Sequence, residues 1–177
     1  MNKPQLVILS DIFGYSNESW MDEYLVRLSP HFHVTSFDSR KLAGIESDQL
    51  EVVHKAFVSG GIDLAAEELD KFKDEIQLVI GFSVGGTIAW RYALENPEVS
   101  LHLISATRLR NETSKPSSEI TLYYGENEEN GPVTEWFETM NLNPIVIENE
   151  SHECYKSEIV IEHVCQRILA GVHTDKA

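Results

Sequence analysis

Gly81-Phe82-Ser83-Val84-Gly85-Gly86 is the stretch whose reading decides the fold. It follows an apolar run, Leu78-Val79-Ile80, and opens into Thr87-Ile88-Ala89-Trp90-Arg91-Tyr92-Ala93-Leu94, which reads as a helix. The motif is Gly-x-Ser-x-Gly set between a strand and a helix. A strand that turns straight into a helix strains its pivot residue, and the neighbours must be small for the two elements to close on each other. Gly81, Gly85 and Gly86 supply that room. Ser83 is then held with its hydroxyl out of the sheet, above a helix start with free N–H groups and a positive dipole end. A phosphate cradle would call for Gly-x-Gly-x-x-Gly or a Gly-Lys-Ser/Thr ending, and the chain has neither. The stretch therefore predicts a nucleophilic serine.

The 177 residues are enough for one domain with a real core. A net charge of −15, spread along the chain, speaks against nucleic acid and anionic membrane surfaces as partners. The two cysteines, Cys154 and Cys165, form no disulfide framework. Met1 to Gln5 leads into an apolar run of about four residues, too short for a signal peptide or a membrane span. The expectation is a soluble, cytoplasmic protein.

Strand and helix signals alternate along the chain. Leu6-Val7-Ile8-Leu9 reads as a strand buried on both faces. A helix is expected from Ser19, with Asp22 in a capping arrangement and Trp20, Met21, Tyr24, Leu25 and Leu28 on its apolar face. His33 to Phe37 is a second strand. Ser47 to Val58 reads as a helix with Leu50, Val53, His54 and Phe57 on one side, broken by Ser59-Gly60-Gly61. A further helix from Asp63 spaces Leu64, Ala65, Leu69 and Phe72 for burial. The third strand leads to Ser83, and Asn96-Pro97 stops the helix after it. Leu101 to Ser105 is the fourth strand and Arg108 to Ser118 a loop. Ile120 to Tyr124 is the fifth strand, and Pro132 suits the first turn of a helix carrying Val133, Trp136, Phe137 and Met140. Ile145-Val146-Ile147 is the sixth strand. A last helix capped by Ser157 buries Ile161, Val164, Cys165, Ile168 and Leu169, and the final residues fray. The pattern predicts an α/β fold of about six mostly parallel strands with helices on both faces.

In such sheets the ligand lies outside the carboxyl ends of the strands. There this chain places Asp11-Ile12-Phe13-Gly14, then Ser83, then Glu126, Glu128 and Glu129, then Ser151-His152-Glu153. A nucleophilic serine needs a base for its proton, and the base needs a carboxylate to hold its tautomer. Of the seven histidines, His54 and His163 fall in helices, His31 and His33 flank a strand start, His102 lies within a strand and His173 in the tail. His152 alone follows a strand in the second half of the chain. The pairs His152-x-Cys154 and His163-x-Cys165 look like metal ligands, but residues two apart on a helix do not face together, and Cys165 fits the buried stripe.

Serine, then acid, then histidine, with the serine in Gly-x-Ser-x-Gly, resembles the α/β-hydrolase superfamily from Leu6 to about Leu169. Asp11-Ile12-Phe13-Gly14 resembles the Ile-Phe-Gly of small lidless members akin to dienelactone hydrolases. The resemblance implies an oxyanion hole from the backbone N–H groups of Ile12 and Val84. It also implies that Glu128 takes the acid's position in Gly125-Glu126-Asn127-Glu128, where the family usually has Gly-x-x-Asp; Glu126 and Glu129 compete for the role. The first two strands of a full fold are missing, and no insertion is long enough for a lid domain. The Arg108–Ser118 loop is the nearest thing to one. The site is then shallow and open, and Arg108 and Arg110 are candidates to meet a substrate carboxylate.

The expected function is a cofactor-free serine hydrolase of a small-molecule ester or thioester, with Ser83 as nucleophile and His152 as base. Its activity rises with pH as the base loses its proton. A cofactor-free acyltransferase would use the same residues. A non-catalytic binding protein on the same fold is the alternative from another class.

Overall fold

The computed structural model describes residues 3–15, 20–72 and 75–174. The expected cap at Ser19 and the frayed last residues lie outside the described residues.

Six strands form one sheet: β1 (Gln5–Leu9), β2 (His33–Phe37), β3 (Ile76–Phe82), β4 (Ser100–Ile104), β5 (Ile120–Gly125) and β6 (Ile145–Ile147). Their order is β2-β1-β3-β4-β5-β6. Every neighbouring pair is parallel, so each connection crosses over, and all six carboxyl ends lie on one edge. Among the described residues seven α-helices accompany the sheet: α1 (Trp20–Leu28), α2 (Ser39–Leu42), α3 (Leu50–Ala56), α4 (Ile62–Asp70), α5 (Val84–Glu95), α6 (Thr134–Met140) and α7 (Glu158–Thr174).

Alternation along the strands divides the core in two. Leu6 and Ile8 of β1, Ile80 and Phe82 of β3 and Tyr123 of β5 face α1 and α7. Val7 and Leu9, Val79, and Leu122 and Tyr124 face the opposite way, against the apolar sides of α3 to α6. A strand covered on both faces is apolar at successive residues, which is why β1 and the core of β3 read as unbroken hydrophobic runs.

Three local expectations need correction. Leu50 and His54 do not join Val53 and Phe57 in the core; both are exposed, while Val53 and Phe57 are buried. Leu64 on α4 is likewise exposed. Pro132 precedes α6, which begins at Thr134, because Val133 is still extended. The residues leaving β2 form α2, capped by the Asp38 carboxylate through the N–H groups of Arg40 and Lys41. The break at Ser59-Gly60-Gly61 does form, as a π-type kink in which Gly60 takes φ +115°. Between Arg108 and Ser118 a 3₁₀ turn, Leu109–Asn111, buries Leu109. Among the described residues no helix is long and apolar enough to cross a membrane.

Candidate active site

Ser83 sits at the centre of the sheet, between the end of β3 and the first residue of α5. Its backbone is at φ 51° and ψ −117°, a conformation L-residues avoid. The surroundings enforce it. Ser83 donates its N–H to Ile104 O at 3.0 Å, and its carbonyl accepts from Thr107 N at 3.2 Å and Gly86 N at 3.0 Å. The glycines make the turn possible by close approach: a Cβ on Gly85 would meet Ser10 O at 2.5 Å, and one on Gly81 would meet Gly85 O at 2.6 Å.

The Ser83 hydroxyl lies 3.0 Å from His152 Nε2. His152 Nδ1 lies 2.7 Å from Glu128 Oε2. A protonated Nδ1 donating to the carboxylate leaves Nε2 as the acceptor for the serine proton. Glu128 comes from the turn after β5, and its side chain is 4% exposed. Its other oxygen accepts the Asn130 N–H at 2.7 Å. Burial alone would raise its pKa, but the hydrogen bonds from His152, Asn130 and Ser105 outweigh it, and the carboxyl lies below its ordinary value. Glu126 turns away and accepts the Asn149 N–H at 3.0 Å. Glu129 is exposed. Among the described residues Glu128 is thus the carboxylate in contact with His152.

The loop after β1 faces this trio. Ile12 and Val84 line the same cavity as Ser83 and His152. The Val84 N–H belongs to the first turn of α5, where helical amides lack intrahelical partners. The β1 loop is tightly fixed. Gly14 donates to Asp11 O at 3.2 Å, and Phe13 N–H to Asp11 Oδ1 at 3.0 Å. Gly14 takes φ +77° with its α-carbon face against the Asp38 carboxylate, where no Cβ would fit.

The cavity holds about 710 Å³. Toward β1 its wall is mostly apolar, with Ile12, Phe13, Leu50, Phe57 and Val58, and Glu51 and His54 among them. Toward β4 and β5 it is polar, with Thr107, Arg108, Arg110 and Asn130. Arg108 is half-buried in the left-handed conformation, φ 66°, and Arg110 donates to the Asn130 carbonyl. The His152-x-Cys154 pair is divided: His152 faces the cavity, while Cys154 is buried with its sulfur 3.4 Å from Ser105 Oγ.

No family model matches the sequence, and no curated protein does. Solved structures do match, over nearly the whole chain. Mouse alpha/beta hydrolase domain-containing protein 10 superposes with a TM-score of 0.73 at 14% identity, over 97% of this chain and 90% of that one. A protein from Xanthomonas campestris pv. campestris assigned to the alpha/beta hydrolase superfamily gives 0.65 at 10% identity, over 96% and 99%. The chain has an α/β-hydrolase fold. Est1E from Butyrivibrio proteoclasticus, also known with ferulic acid bound, shares it with a TM-score of 0.64 at 15% identity, over 97% and 89%.

Within this α/β-hydrolase fold, sequence reasoning missed three contributors to the site. The apolar wall is one: Leu50 of α3 and Phe57 and Val58 just after it line the cavity together with Ile12 and Phe13. Ser105, at φ 49° just after β4, supports Glu128 from behind. Asp11 and Tyr155, both buried, are hydrogen-bonded to each other, and Tyr155 lines the cavity. Asp11 carried a signal, a carboxylate directly after a buried strand. Tyr155 carried none beyond its nearness to His152.

Proposed function

We propose that the chain is a serine hydrolase that cleaves an ester or thioester with a small apolar acyl group through an acyl-enzyme on Ser83. The observation that carries this reading is the continuous contact from the Ser83 hydroxyl through His152 to Glu128, at 3.0 Å and 2.7 Å.

Ser83 Oγ attacks the acyl carbon while its proton passes to His152 Nε2. Glu128 accepts the Nδ1–H, fixes the tautomer and stabilises the imidazolium. The N–H groups of Ile12 and Val84 hold the oxyanion, and such a donor is worth roughly 3 kcal/mol in the transition state. Collapse breaks the C–O or C–S bond, and His152 returns the proton to the leaving alcohol or thiol. Water then gives a proton to His152 and attacks the acyl-enzyme. The second collapse releases the acid and restores the Ser83 hydroxyl. An acyltransferase would use the same residues with another acceptor in place of water.

The apolar wall suits a hydrocarbon acyl group, and Arg108 and Arg110 suit a carboxylate on the opposite part of the substrate. Labelling with a fluorophosphonate, followed by peptide mapping, tests the reading. Wild type is expected to be labelled at Ser83, and Ser83→Ala to stay unlabelled. Folded wild type that resists the probe and turns over no short acyl ester would leave a binding protein on a hydrolase fold.

A further inference from the structure

Asp11 and Tyr155 are 144 positions apart in sequence, yet the Tyr155 hydroxyl donates to Asp11 Oδ2 at 3.1 Å. Each is 1% exposed. The other Asp11 oxygen accepts the Phe13 N–H at 3.0 Å, so this carboxylate organises the turn that carries Ile12. Tyr155 lies three residues beyond His152, and its ring meets the imidazole edge to face, with centroids 6.2 Å apart at 87°. The ring is itself held. It packs at 5.0 Å from Trp20 and 5.4 Å from Phe82, and the Tyr155 carbonyl accepts the Tyr24 hydroxyl at 3.1 Å.

The loop after β1 and the loop after β6 are not sheet neighbours at this edge, since β1 lies inside the sheet on one side of β3 and β6 ends it on the other. Backbone pairing between their strands therefore cannot fix their separation. The Asp11–Tyr155 bond spans it. The Tyr155 ring lines the cavity beside His152 while its hydroxyl is bonded to Asp11, and a carboxylate buried this deeply needs hydrogen-bond partners, which here come from both loops.

We propose that Asp11 and Tyr155 are positioning residues that lock the Ile12 loop to the His152 loop, setting the distance between oxyanion donor and base. The proposal rests on the hydrolase reading above. A small misplacement of either loop lowers the chemical step and leaves ground-state binding nearly intact.

Three variants test it: Tyr155→Phe, Asp11→Ala and Asp11→Asn. Tyr155→Phe keeps the ring in its aromatic nest and removes only the bond. Asn at position 11 still accepts from Phe13 and donates to the tyrosine oxygen, so the lock survives without the charge. The readouts are kcat and KM on 4-nitrophenyl butyrate and amide exchange at residues 12–14. Tyr155→Phe and Asp11→Ala are expected to lower kcat about ten- to a hundred-fold with KM within about three-fold, and to speed exchange of the Phe13 amide at least about ten-fold. Asp11→Asn is expected to keep kcat within about three-fold. Unchanged kcat in Tyr155→Phe would sink the positioning role, as would unchanged exchange. Loss of activity in Asp11→Asn as deep as in Asp11→Ala would assign Asp11 a role for its charge instead. Wild type that neither hydrolyses the ester nor takes a fluorophosphonate would remove the hydrolase reading, and the positioning role with it.

Discussion

Glu128 Oε2 lies 2.7 Å from His152 Nδ1, and Glu128 Oε1 accepts the Asn130 N–H at 2.7 Å. The carboxylate thus bridges the base and its own loop. The turn that carries it closes early, with Glu128 N–H on Gly125 O at 3.1 Å, and the glutamate's extra methylene covers the remaining reach. Glu128→Gln keeps the size but offers an amide that can hold the wrong tautomer, so kcat is expected to fall on the order of 10³- to 10⁴-fold. Glu128→Asp keeps the charge but falls short of His152, and a smaller loss of about 10- to 100-fold is expected. Steady-state kinetics on a short acyl ester decide. A Glu128→Asp variant as fast as wild type would show that the methylene is not needed.

The same carboxylate ties stability to pH. Its folded pKa lies below the ordinary value of 4.5. Its contribution is therefore complete above 4.5 and is lost as pH falls through the folded value. Asp11 has the opposite sign. Burial pushes its carboxyl above the ordinary 3.8, and the bonds from Tyr155 and Phe13 only partly offset that. Its contribution is present below 3.8 and is lost as pH rises through the folded value. Thermal melts of Asp11→Asn and wild type from pH 3 to 7 are expected to diverge in the variant's favour as pH rises. A difference that is flat, or that moves the other way, would contradict the direction of this shift.

Ser83 stores backbone strain. At φ 51° and ψ −117° a glycine is unstrained, whereas alanine is as strained as serine. Ser83→Gly is expected to exceed Ser83→Ala in unfolding free energy by about 1 kcal/mol, with the greater chain entropy of glycine subtracting from a strain of roughly 1–3 kcal/mol. Urea titration measures the gap, and both variants should be inert to fluorophosphonate. Equal stability would mean that the turn costs little, and that Ser83 is not held against its preference.

The six strands along the chain, the Ser83 turn and the place of His152 were legible because each is local. A short apolar run, a glycine cluster or a histidine just past a strand carries its signal within a few residues. The choice among Glu126, Glu128 and Glu129 was open in the sequence, since three carboxylates on one turn differ only in direction, and the fold sets direction. The misplacement of Leu50 and His54 has another cause. Helical periodicity marks an apolar face but not what the face meets. Val53 and Phe57 meet the core, while Leu50 and His54 turn to the cavity mouth. The Asp11–Tyr155 bond was invisible for the plainest reason, that 144 positions separate its ends.

The apolar wall beside that mouth makes the last prediction. Phe13, Leu50 and Val58 are 47%, 52% and 45% exposed, and they stand together with the buried Phe57 on one wall of the cavity. Large apolar side chains grouped beside a reactive serine suit an acyl chain laid against them. Each methylene that the wall removes from water contributes about 0.8 kcal/mol, or roughly a three- to four-fold gain in kcat/KM. With wild type, kcat/KM on 4-nitrophenyl esters is expected to climb by that factor at each methylene, roughly ten- to fifteen-fold from acetyl to butyryl. Leu50→Ser and Val58→Ser should flatten the climb and leave the acetyl ester nearly unchanged, because two carbons do not reach the wall. The stability of both variants should stay near wild type, since neither side chain is in the core. A series that is flat in wild type, or that keeps its slope in both variants, would place the acyl group elsewhere in the cavity, against the polar side formed by Thr107, Arg108 and Asn130.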